Sequence, residues 1–236
     1  MSVYHELTVW TRGIIMDKEA RDVASCVAAG ADRAGFHAQY IADYVDDPDR
    51  TNALIRKYAR FGDEPIAEPF VYENAHPDWV VLVEETLVKA VNFFRGTGEG
   101  EGVLVVNSAR DPEFLVQFLP DFMLAKLKAL VVVDAVRLAE QEDGNPWMFV
   151  RDLGELARDR TSTEGAPERS EVGIGIAAPL IGALVAYTAL IPLEDVAPAV
   201  HHTDAMYRGA EDYRVLDGDS ARSASTEAME TTGSVL

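Results

Sequence analysis

Three short runs constrain this chain most: WVVLV (Trp79–Val83), VLVVNS (Val103–Ser108) and LVVVDA (Leu130–Ala135). Each begins as an unbroken apolar stretch rich in β-branched residues. A strand with one wet face alternates apolar and polar side chains, so an unbroken run needs cover on both faces. Helical patterns follow the runs: TLVKAVNFF, DPEFLVQFL and VRLAEQE in turn. Ahead of them Glu6–Trp10 reads as a strand, and Asp17 caps a helix with Ala20, Val23, Ala24, Val27 and Ala28 on its apolar face. Gly30 sits where that helix should stop. The alternation predicts an α/β fold, a three-layer domain with a largely parallel sheet.

Other segments fit around that frame. FHAQYIADY (36–44) and ALIRKYARFGDEPI (53–66) alternate like strands, the second ending in a GDEP turn. RGTGEGEG reads as an exposed loop, and Asp111-Pro112 as a helix start. VGIGIAAPLIGALVAYTALIPL (172–193) is uncharged over a length that can span a bilayer. Its flanks are acidic (Glu171, Glu194, Asp195), no Lys/Arg cluster orients it, and Gly and Ala are frequent. A helix buried on all sides of a globular core is expected instead. The single domain is predicted to cover 1–216, with a polar insertion at about 145–171 and a polar C-terminal tail at 217–236. Neither polar segment can offset the entropy of ordering alone. If ordered, each is expected to lie along another subunit, and Trp147, Met148 and Phe149 are either its anchors or part of their own domain's core.

Composition narrows the function. With 40 acidic against 21 basic residues the formal charge is −19, which argues against the phosphate backbone of DNA or RNA as a partner. The single cysteine, Cys26, lies among apolar helix positions as a buried thiol. One cysteine permits no internal disulfide and no iron–sulfur cluster held by this chain alone. The N-terminal residues lack the basic and apolar regions of a secretion signal, so a cytoplasmic protein without a membrane span is expected.

The chain carries few chemical motifs. P-loop, Gly-x-Ser-x-Gly and His-Glu-x-x-His patterns are absent from the sequence. The stretch TRGIIMD (11–17) stands between the first strand and its helix, where phosphate-holding folds place several glycines. It has one, and Ile14, Ile15 and Met16 hinder close approach. The stretch either offers backbone N–H groups to an anion or serves as a subunit-facing apolar loop. Asn107 and Ser108 end a buried strand, where they either meet a ligand or cap the next turn. Arg56, Lys57 and Arg60 form a basic row that reads as a solvated or edge-blunting face, or as one turned toward a channel or partner. His201 and His202 are adjacent, about 100° apart on a helix, which is not a metal-ligand spacing. Glu84-Glu85 and Asp46-Asp47 are sequence neighbours and poor acid/base pairs.

In order along the chain, RKYARFGDEPI, PDWVVLVEETLVK, VLVVNSARDPE, VVVDAVRLAEQ and IGIAAPLIGALVAYTALIPLEDV resemble segments of one family. It is the gamma subunit, or gamma domain, of the 2-oxoacid:ferredoxin oxidoreductases of pyruvate, 2-oxoglutarate, oxalate or phenylglyoxylate type. The similarity spans about 4–144 and 172–214. Of the family's GRGGQG opening this chain keeps only Arg12 and Gly13, and the 145–171 segment is an addition. The resemblance implies a fold like the gamma domain of pyruvate:ferredoxin oxidoreductase. It implies a non-catalytic subunit of a complex that oxidatively decarboxylates a 2-oxoacid and passes electrons to ferredoxin or a similar acceptor. Thiamine diphosphate, Mg and iron–sulfur clusters then sit in alpha- and beta-type catalytic subunits and a ferredoxin-like delta subunit. Coenzyme A is left open as a co-substrate. The implied ligand-side positions are Arg12, Gly13, Asn107 and Ser108, with no catalytic residue and no metal ligand. The alternative is a stand-alone α/β nucleotide-binding protein or enzyme that uses the 11–17 loop.

Overall fold

A computed structural model describes residues 4–42, 53–71, 73–141 and 175–233. Strand β1 (His5–Arg12) leads into α1 (Gly13–Arg33), then β2 (His37–Ala42), β3 (Leu54–Gly62), β4 (Trp79–Leu82) and β5 (Gly102–Asn107). Helices α2 (Pro112–Val116) and α3 (Asp121–Leu124) precede β6 (Leu127–Val133) and α4 (Ala135–Glu140). After the undescribed 142–174 come α5 (Ala177–Thr188), α6 (Leu193–Val196), α7 (Thr203–Glu211), β7 (Arg214–Asp217) and α8 (Gly218–Gly233). The sheet order is β2-β3-β1-β4-β5-β6-β7. Its centre, β1-β4-β5-β6, is parallel, while β3 runs antiparallel to β1 and β2, and β7 antiparallel to β6.

The unbroken apolar runs feed two cores, as their composition requires. Val81, Val105 and Val131 point to one face, into a cluster with α1, α4, α5 and α7. The intervening Val80, Leu104 and Leu130 point to the other, with Leu87, Phe94, Leu115 and Ala221. Helix α5 is apolar because its first nine residues are buried. No described helix is long and apolar enough to cross a membrane. Helices α5 and α7 meet backbone to backbone: a Cβ on Gly182 would lie 1.9 Å from the Met206 carbonyl oxygen, and one on Gly209 2.3 Å from that of Pro179.

Several local expectations give way to packing. Helix α1 passes through Gly30, whose missing Cβ admits Val196, and ends at Gly35 (φ +96°). There Phe36 donates to the Ala31 carbonyl and Gly35 to that of Asp32, closing a Schellman turn. TLVKAVNFF forms only a 3-10 turn over Glu85–Lys89, because Val88 and Phe93–Phe94 are drawn into the second core. The RGTGEGEG loop is tied down where Thr97 donates to the Pro77 carbonyl at 2.9 Å. The polar tail packs against its own domain through its first half, to Thr226. It opens with the last residue of β7 and continues as α8, whose small Ala221 and Ser225 face inward one turn apart. Arg222 donates to the carbonyls of Leu124 and Leu127 at 3.0 and 3.4 Å. Small side chains on one helix face permit close approach, so little apolar surface is needed to order it. Trp147, Met148 and Phe149 and the 145–171 segment lie outside the described residues.

Candidate functional site

In an open parallel sheet, ligands collect beyond the carboxyl ends of the strands, where successive connections leave for opposite faces. That point lies between β1 and β4. The chain leaves β1 into α1 on one face and β4 into the 3-10 turn on the other. Arg12 ends β1 and Gly13 opens α1 with no loop between them. Gly13 holds φ at +75°, a conformation glycine takes at little cost, and donates to the Ala53 carbonyl at 3.0 Å. One glycine thus makes the whole reversal, and Ile14 to Asp17 are already helical. Asp17 is therefore no cap. Its carboxylate accepts from Arg21 at 2.9 Å and pairs at 2.8 Å with Lys57, which is 2% exposed.

The opposite wall of the crevice is acidic. Glu84 and Glu85 follow β4, and the Glu85 carboxylate accepts from the Ser108 hydroxyl and, at 3.2 Å, from Arg110 Nε. Arg110 offsets Glu85 and Arg214 offsets Asp111, so Glu84 leaves this wall with a single excess negative charge, which disfavours a phosphate. Asn107 is spent on the fold itself: its Nδ2 donates to the Val83 carbonyl at 3.0 Å and its Oδ1 accepts from the Ala135 N–H at 3.1 Å. Ser108 donates its N–H to the Val133 carbonyl and accepts the Arg110 N–H on its Oγ, both at 3.0 Å. These bonds knit the ends of β4, β5 and β6 to the start of α4. Arg12 and Gly13 share that sheet edge but stand two strands away, roughly 10 Å at ordinary strand spacing. No hydrogen bond joins the two pairs among the described residues.

The basic row is not an edge face. Strand β3 lies inside the sheet, and its cations are engaged one by one. Arg56 pairs with Glu73 at 2.9 Å and lies over Trp10 at 5.3 Å. Arg60 holds Gln39 and the Glu68 carbonyl. Sequence alternation alone could not tell an interior antiparallel strand from an edge.

Sequence reasoning passed over Glu19, which is 1% exposed. Its carboxylate accepts from the Ala177 N–H at 2.8 Å and the Gly175 N–H at 3.4 Å, closing the start of α5, which has no acid of its own. The available signal was an acid beside Ala20 and four residues before Val23, on the buried face of α1. A cleft of about 480 Å³ opens beside it, lined by Lys18, Asp22, Ser25, Cys26, Ile181 and His202 among others. Lys18 is paired with Asp22. Burial pushes the Cys26 thiol up to about 11, and it donates to the Ala199 carbonyl, so it is no nucleophile at neutral pH. No group of three or more His, Cys, Asp or Glu among the described residues can hold a metal ion.

No protein-family model matches the chain. It is 30% identical over 177 residues to pyruvate synthase subunit PorC of Thermotoga maritima, covering 75% of this chain and 72% of the relative. The chain belongs to the gamma-subunit family of the 2-oxoacid:ferredoxin oxidoreductases. PorC of Methanothermobacter marburgensis is 38% identical over 61 residues, 26% of this chain and 33% of its own length. The crystal structure of the Thermotoga maritima pyruvate oxidoreductase subunit PORC matches with a TM-score of 0.61 at 25% identity, over 91% of this chain and 99% of that one. The keto/oxoacid ferredoxin oxidoreductase gamma subunit of Geobacter sulfurreducens shares the fold at TM-score 0.55 and 14% identity, over 94% and 99% of the two chains. A 2-oxoglutarate:ferredoxin oxidoreductase from Magnetococcus marinus does so at 0.52 and 10%, over 89% of this chain and 31% of that one. The three-layer α/β fold is therefore the gamma-type fold, and such a gamma subunit is one part of an oxidoreductase complex. The stand-alone nucleotide-binding reading is not favoured.

Proposed function

We propose that this gamma subunit braces a multi-subunit enzyme whose chemistry runs in its partners. Alpha- and beta-type subunits hold thiamine diphosphate and Mg and decarboxylate a 2-oxoacid. Iron–sulfur clusters, some in a ferredoxin-like delta subunit, carry the electrons to ferredoxin or a similar acceptor, in the cytoplasm. The observation that carries this reading is the state of the ligand edge. Asn107, Ser108 and Glu85 bond mainly to one another's elements, and Gly13 has handed its N–H to Ala53. An edge spent in this way supports bracing over turnover. Arg12 and Gly13 then face the substrate or coenzyme A side of the assembled site, while Asn107 and Ser108 hold the edge in shape.

Reconstitution tests it. The full chain purified alone should be colourless, free of stoichiometric iron and thiamine diphosphate, and inactive toward pyruvate and 2-oxoglutarate. Adding it to the partner subunits should raise 2-oxoacid-dependent reduction of ferredoxin. Iron bound stoichiometrically by the lone chain, or partner subunits fully active without it, would overturn the proposal.

A further inference from the structure

Resting on that assembly reading, we propose that β2 and the segment Asp63–Val71 seat an extended segment of a partner subunit. That segment carries apolar side chains flanked by lysine or arginine. Among the described residues, strand β2 is the last of the sheet on its side. Exposed edges are ordinarily blunted by charge, proline or a bulge, since an open edge recruits another strand. The sequence HAQYIA has no Asp, Glu, Lys or Arg and no proline, and it pairs with β3 in unbroken register over all six residues. Beside it runs a groove of about 490 Å³, lined by Tyr40, Ile41, Ala42, Pro69, Phe70 and Val71 among others. Phe70 is 89% exposed, the most exposed large apolar residue among those described.

The groove is held ready. Gln39 donates to the Pro69 carbonyl, and Arg60 donates to both Gln39 and the Glu68 carbonyl, which tethers the arm to the strand. The arm that forms one wall, Asp63–Val71, carries charge of one sign. Asp63, Glu64 and Glu68 are exposed, while the cations beneath, Arg56 and Arg60, are turned to partners within the chain. An apolar channel with an acidic rim selects a basic-flanked strand, with backbone pairing giving affinity and the rim giving specificity. A second copy would bring acids against acids, on a chain of net charge −19. The other exposed aromatic patch, Phe114, Phe118 and Phe122, makes no such selection. Arg110 and Lys89 of the chain already lie over Phe114 and Phe118, at 4.5 and 4.7 Å.

The test uses the full chain titrated into its partner subunits. Phe70→Asp, and separately Glu64→Lys with Glu68→Lys, alter exposed side chains and should leave the unfolding transition of the lone chain unmoved. Each should weaken assembly at least tenfold, whereas Phe122→Asp should leave it within twofold. A photo-crosslinking residue at position 70 should trap a partner peptide that is apolar with flanking lysine or arginine. Normal assembly by both groove variants overturns the inference, as does a cross-link to a second copy or to an acid-flanked segment. If the unaltered chain fails to join the partner subunits at all, the assembly reading falls, and this inference with it.

Discussion

Asn107→Ala separates a structural edge from a ligand contact. The substitution removes the donor at 3.0 Å from the Val83 carbonyl and the acceptor at 3.1 Å from the Ala135 N–H. Each such bond is worth about 1 kcal/mol net, more where the abandoned partner stays dry. Asn107 is half-buried, so water reaches part of the site and the low end applies. The expected loss is about 2 kcal/mol. For a chain of this length, each kcal/mol moves the midpoint by about 2–4 °C, so melting should fall by about 4–8 °C. In urea the midpoint should drop while the slope holds. Asn107→Asp keeps the acceptor for Ala135 but sets a carboxylate against the Val83 carbonyl, so it should be no more stable than the alanine variant. In the assembled complex, well below both transitions, kcat/KM should stay within twofold. A melting point within 1 °C of the parent, together with a tenfold rise in KM, would refute this reasoning and make Asn107 a ligand contact.

Gly182→Ala drives a methyl group into the Met206 carbonyl, and Gly209→Ala does the same to Pro179; each should cost about 2–3 kcal/mol in urea unfolding. The double variant should cost less than the sum, because both push the same two helices apart. Cys26 should resist iodoacetamide at pH 8 in the native chain, where only about one thiol in a thousand is ionised, and react promptly in denaturant. With the folded thiol at about 11 and the free one at 9.0, the unfolded state loses its proton first. Stability should therefore fall, by about 2 kcal/mol, as pH rises from 9 to 11, and the Cys26→Ala variant should lack that fall. Arg12→Ala should weaken assembly or lower the melting point more than it lowers turnover. Intact assembly with a tenfold higher KM for coenzyme A would count against that.

The layers of the fold were legible because the unbroken runs at Trp79, Val103 and Leu130 have no use outside a sheet covered twice. The ends of elements were less so. Gly30 carried the mark of a helix stop, yet the stop is Gly35, because the close approach of Val196 asks for glycine at 30. Such contacts connect residues 166 positions apart and leave no periodic trace. The tail misled for a related reason. Its polar composition says nothing of Ala221 and Ser225, which matter only because β6 and α3 offer a surface that fits small side chains. Helix α7 and strand β7 were missed outright: four residues, RVLD, are too few for a pattern, and their place is set by pairing with Val131 and its neighbours. At the site, residue types were visible but their bonds were not. Asn107 and Ser108 stood at the right strand end, while Glu85 and Ala135, which occupy them, lie 22 and 28 residues from Asn107.

The opening stretch and the β5 terminus answer to one physical condition. A glycine-rich turn brings several backbone N–H groups to an anion and leaves the strand ends around it open to complete the site. Here Gly13 alone turns the chain, and its N–H is satisfied by Ala53. With that N–H already satisfied, the neighbouring strand ends are closed by bonds of their own. The structure supplies it with Asn107 bridging Val83 and Ala135, and with Ser108 and Arg110 both bonded to Glu85. A phosphate could be restored only by undoing both. Adding glycines at 14–16 would leave Glu84 and Glu85 facing the ligand, and removing the glutamates would strip Ser108 and Arg110 of their partner. The two sets of substitutions together are the minimum for anion binding at this edge, and either set alone should give only a less stable subunit.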